Sequence, residues 1–79
     1  MSEWKLLQIS RRGVAMDPRT GDSYRLNESA TLVLRGMQEG ASPQEMAEAL
    51  VREFNVPYGS ALSDVYEFAA MLNSQGFSA

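Results

Sequence analysis

Two residue types are missing from these 79 residues, cysteine and histidine. Without cysteine there is no disulfide, no thiolate metal site and no thiol nucleophile. Without histidine the usual general base and the commonest metal ligand are gone, and a Ser–His or Cys–His catalytic pair is ruled out. Carboxylate pairs remain, but a chain this short has little material with which to close a pocket around them. No catalytic residue, cofactor or metal is therefore expected, and the chain reads as a binding domain rather than an enzyme. Also lacking is any apolar run near the roughly 18 residues that span a bilayer. The opening Met1-Ser2-Glu3-Trp4-Lys5 has neither the basic nor the apolar region of a signal peptide. The expectation is a cytoplasmic domain with no membrane partner.

What is present is ordinary globular material, 44% hydrophobic and 22% charged, which argues against wholesale disorder. The net charge of −3 is unevenly spread. Residues 1–40 hold six basic and five acidic groups, whereas residues 41–79 hold Arg52 against five acids. That balance keeps a domain soluble and offers no surface for a polyanion.

Strand signals come first. Residues 4–9 alternate so that Leu7 and Ile9 share one face and Trp4 and Leu6 the other. Arg11-Arg12-Gly13 punctuates, and Val14-Ala15-Met16 makes a second short strand. The turn at residues 17–22 has its own chemistry: Asp17 bonds the backbone ahead of it, Pro18 presets φ, and Gly21 takes positive φ. Residues 23–26 form a third strand, antiparallel to the second.

Helices follow. Asn27 is an N-cap, and Ala30, Val33, Leu34 and Met37 mark one face of a first helix that Gly40 stops. Ser42-Pro43-Gln44-Glu45 combines a capping box with proline at the first helical position, ahead of a stripe of Met46, Ala47, Leu50, Val51 and Phe54. Pro57 ends that helix. A third begins near Ser60, with Ala61, Leu62, Val65, Phe68, Ala69 and Leu72 on one face, and Gly76 with Phe77 as its terminator. The fold class predicted is α+β, winged-helix-like, with three antiparallel strands followed by three helices.

From about Val14 to Phe77 the chain resembles the PqqD family. Tyr24-Arg25-Leu26-Asn27-Glu28-Ser29-Ala30 is similar to that family's strand ending in Leu-Asn before the first helix. Met37-Gln38-Glu39-Gly40-Ala41-Ser42 resembles its Gly-Ser/Thr helix junction, and Glu45-Met46-Ala47 with Leu50 its second helix. Asp64-Val65, Phe68, Leu72 and Gly76-Phe77 resemble its final helix. Asp22-Ser23-Tyr24 and Gln38-Glu39-Gly40 stand where pyrroloquinoline quinone pathway members carry Pro-Glu-Gly and Cys-Asp-Gly, so the pathway is left open. The resemblance implies that residues 1–79 form one RiPP recognition element. Such a module holds the leader of a ribosomally made precursor peptide for a modifying enzyme, such as a radical SAM enzyme, a cyclase or a leader peptidase. It also implies that the leader adds as a strand to the third strand, in the groove beside the third helix.

The physics permits this, because an edge strand has unpaired backbone groups that a guest can satisfy, with alternate side chains giving selectivity. So small an interface suits an affinity nearer micromolar than nanomolar. The peptide-binding candidates are Asp22, Ser23, Tyr24, Arg25 and Leu26 on the strand, and Leu62, Asp64, Tyr66 and Ala69 on the third helix. Arg25 either pairs with an acidic leader residue or is a solvated charge protecting the edge. Tyr24 lines the groove or joins the core, Leu26 suits the core, and Asp64 also suits the helix dipole. Met37, Met46 and Met71 are flexible fillers. Two rival functions remain. One is a winged-helix nucleic-acid binder, although the third helix carries Asp64 and Glu67 and no cation. The other is a dimerisation or scaffold module, and oligomeric state is not fixed by the sequence.

Overall fold

The structure, a computed structural model, describes residues 2–74 and 77–78. In chain order the elements are β1 (Ser2–Glu3), a 3-10 turn (Trp4–Leu6), β2 (Gln8–Ile9), β3 (Val14–Met16), β4 (Ser23–Arg25), α1 (Glu28–Gln38), α2 (Pro43–Phe54), α3 (Tyr58–Ser74) and β5 (Phe77–Ser78). The α+β architecture expected from the sequence is observed, with three antiparallel strands in the order β2-β3-β4 followed by three helices.

The sheet is held at its turns by residues chosen for backbone reasons. Ser10 N–H donates to the Val14 carbonyl at 2.8 Å, and Leu26 N–H to the Gly13 carbonyl at 2.6 Å. Gly13 lies at φ +79, and a Cβ there would sit 2.7 Å from the Leu26 carbonyl oxygen, so only glycine fits. The β3–β4 turn forms as its sequence predicts. Asp17, 2% exposed, accepts the Arg19 N–H on Oδ1 at 3.0 Å, and its carbonyl accepts from Gly21.

The helices start and stop where their caps dictate. Asn27 Oδ1 accepts the Ala30 N–H at 2.8 Å. Past Glu39, the Gly40 N–H bonds the Met37 carbonyl and the Ala41 N–H the Gly36 carbonyl, a Schellman closure. The capping box is reciprocal, with Glu45 N–H donating to Ser42 Oγ and Ser42 N–H to Glu45 Oε1. Donors from Ser42, its backbone N–H first and its side-chain hydroxyl second, hold the Glu45 carboxyl below its ordinary pKa. Asn55 ends α2 in the left-handed conformation at φ 53. Gly36 does more than loosen α1, because Met46 of α2 fills the space its Cβ would occupy.

One expectation needs correction, one strand pair is additional, and one boundary moves by two residues. Residues 4–9 are not one strand, since Trp4–Leu6 is a 3-10 turn and only Gln8–Ile9 pairs with β3. The Gln38 side chain captures both the Trp4 carbonyl, at 3.1 Å, and the Leu7 carbonyl, at 2.8 Å, and so folds the segment against α1. Second, β1 and β5 make a separate parallel pair that no local pattern announces. Third, α3, expected to begin near Ser60, begins at Tyr58, with the Pro57 carbonyl accepting from Ala61 N–H. Of the expected terminator, Gly76 lies outside the described residues, and Phe77 lies in β5.

The core lies between the sheet and the helices. Val33 and Leu34 of α1, Leu50 of α2 and Val65 of α3 are fully buried, joined by Leu7 just before β2, by Ala15 of β3 and by Phe68 and Leu72. Among the described residues no helix is long and apolar enough to cross a membrane.

Candidate functional site

The register of β4 decides what its outer side can do. Val14 pairs with Arg25, Ala15 with Tyr24 and Met16 with Ser23. Hydrogen-bonded pairs alternate along an antiparallel ladder. The bonds from Asp17 to Asp22 and from Leu26 to Gly13 flank the Ala15–Tyr24 pair, so Tyr24 also spends its backbone groups on β3. The N–H and C=O groups of Ser23 and Arg25 then point away from β3. Among the described residues β4 is the last strand of its sheet, so these groups form an open edge there. The sequence suggests that every residue of this strand can donate to a guest; the ladder restricts this to alternate residues.

The edge faces α3. Tyr24 and Leu26, half-buried, line a narrow apolar slot of about 40 Å³ with Met71 and Leu72 of α3 and with Leu7, Ala15 and Leu34. Met71 lines this slot and also a wider groove of about 440 Å³ between α3 and the start of α1, where Asn27, Ser29 and Ala30 face Asp64, Glu67 and Phe68. A guest strand on β4 would therefore lie over an apolar slot and run on into a more polar groove.

The expected site residues divide. Ser23 and Arg25 are exposed and supply the edge, with side chains on the opposite face from Tyr24. Arg25 thus points away from α3. Asp22, exposed, closes the turn through its carbonyl. Tyr24 and Leu26 pack on the core and line the slot at once. Asp64 lies in the groove. Leu62, Tyr66 and Ala69 are not brought to it. Tyr66 and Ala69 line a cleft of about 540 Å³ on the other margin of α3, with Trp4, Met37 and Met46, and Leu62 shares their helical stripe, half-buried against the core. The period of α3 identifies its buried stripe but not which margin meets β4, because that depends on how the helix docks. The same ambiguity hid Glu67, and Met71 appeared in the sequence only as a filler. Its 45% exposure beside a buried leucine is the signal that it lies at a rim.

The comparisons with known proteins bear on this geometry. The family model for coenzyme PQQ synthesis protein D (PqqD) matches residues 12–77. The chain belongs to the PqqD family. Among solved structures it is similar to one described as lasso peptide synthetase B1 complexed with the leader peptide. That match has 28% identity and a TM-score of 0.74, and it covers 89% of this chain and 84% of the other. No curated protein matches the sequence. In this PqqD-family chain no group of three metal-ligating side chains gathers among the described residues.

Proposed function

We propose that this PqqD-family domain binds the leader segment of a ribosomally made precursor peptide as an added strand on β4 and holds it for a modifying enzyme. The observation that carries the reading is the open β4 edge lying against α3, with Ser23 and Arg25 offering backbone groups over the slot of Tyr24, Leu26, Met71 and Leu72. The similar lasso peptide synthetase B1 was solved with its leader peptide, which supports the same role here. The domain's part is positional: holding the leader raises the effective concentration of the attached core peptide at the enzyme, a gain that requires no catalytic group. A nucleic-acid role has little to stand on, since α3 presents Asp64 and Glu67 and no cation.

The test is a titration of isotopically labelled protein with synthetic candidate leader peptides. Amide shifts should concentrate at Ser23, Arg25 and Met71. Shifts confined to the Tyr66–Ala69 margin, or none at saturating leader, would sink the proposal.

A further inference from the structure

We infer that the guest strand carries an aliphatic side chain over the Tyr24–Leu26 slot and a Lys or Arg two residues further toward α1, held by Glu67 and Asp64. This deepens the strand-addition reading and rests on it.

The edge fixes parity. A guest residue opposite Tyr24 shares its face of the sheet, as does the guest residue two positions along, and the one between points to the Arg25 side. The first of these faces the slot, whose lining exposes no polar surface. Only an apolar side chain enters such a slot without losing hydrogen bonds to water. Met71 at the rim is unbranched and half exposed, so it can move aside for a branched side chain.

Spacing fixes the second position. Glu67 lies four residues before Met71 on α3, about 6 Å along the axis, and Asp64 seven residues before it, about 10.5 Å. Tyr24 and Leu26 lie with Met71, and Asn27, next along the chain, lies with Glu67 and Asp64, so a guest on β4 runs toward the carboxylates. Its two-residue advance of about 6.8 Å is close to the Met71–Glu67 rise, and a long side chain there reaches toward Asp64. Asp64 also borders the adjoining depression at Glu28. The linings of groove and depression together contain three carboxylates and no Lys or Arg. A cationic guest therefore meets complementary charge there, and an acidic one meets repulsion.

The experiment is a display selection of random dodecapeptides on the folded full chain, repeated on Ser23→Pro and on the double variant Asp64→Asn, Glu67→Gln. Asp64 and Glu67 are exposed, so the amide variants should fold, which circular dichroism checks. The expected result is enrichment of an aliphatic residue with Lys or Arg two positions away, the basic preference vanishing in the double variant while the aliphatic one persists. In a selected peptide, Lys→Gln should weaken binding about two- to fivefold, and only with wild-type carboxylates. Enrichment without that cation, or a preference that survives the double variant, overturns the inference and leaves strand addition intact. No enrichment, or peptides that bind Ser23→Pro as well as wild type, overturns strand addition and the inference with it.

Discussion

Ser23→Pro separates edge from fold. Proline removes one N–H and is tolerated in sheets only where that N–H faces outward. The Ser23 N–H faces away from β3, its side chain is exposed, and the preceding Asp22 engages the turn through its carbonyl. The folded domain should therefore lose little. A bound leader would lose one of the four backbone bonds that Ser23 and Arg25 can offer. At about 0.5–1.5 kcal/mol net per bond, affinity should fall about two- to thirteenfold, and further where the ring crowds the guest. Tyr24→Pro is the internal contrast, because it deletes a bond to β3 from a half-buried position and should destabilise the domain itself. The assay pairs calorimetric titration of the leader with thermal melts of both variants. Unchanged affinity in Ser23→Pro, or a large drop in its melting temperature with Tyr24→Pro unaffected, would mean that the ladder is out of register with this assignment.

Other consequences concern the scaffold. Gly13→Ala should cost about 1–3 kcal/mol in chemical denaturation, since it places a Cβ at positive φ against the Leu26 carbonyl; full stability would refute the close approach. Leu34→Ala, at a position with 0% exposure, should cost about 2–5 kcal/mol by the same measurement. Glu45 has a lowered pKa in the folded state, so its contribution to stability is present above the ordinary value of 4.5 and is lost as pH falls through the folded value. Acid melts of Glu45→Gln should lack that part of the pH dependence, and identical acid profiles would argue against the capping box.

The caps, turns and strand order were legible because each rests on chemistry within a few residues: Asn27 with Ala30, Ser42 with Glu45, Asp17 with Gly21. What was hidden is long-range. The 3-10 turn at Trp4–Leu6 depends on Gln38, more than thirty residues away, reaching two carbonyls. The β1–β5 pair joins opposite ends of the chain. On the site, the strand half was readable because alternation alone separates Tyr24 and Leu26 from Ser23 and Arg25. The helix half was not, since Tyr66 and Met71 are equally plausible margins of one amphipathic helix until its docking angle is known.

The shortness of β4 bears on selectivity as well as on solubility. An open edge pairs with any extended chain, including a second copy of itself, and proteins restrain this with short strands and charges. Here the edge offers outward backbone groups at only two residues, one of them carrying Arg25. A partner that bonds the edge alone gains few hydrogen bonds and must still meet the entropic cost of ordering. A chain that also fills the slot under Met71 adds apolar burial to those bonds. Discrimination then lies in α3 rather than in the strand, and β4 can be generic in sequence while the domain remains specific. Relatives that recruit different peptides should therefore differ at the positions of Asp64, Glu67 and Met71 more than at Ser23, and exchanging those three side chains between two such domains should exchange their preferred leaders.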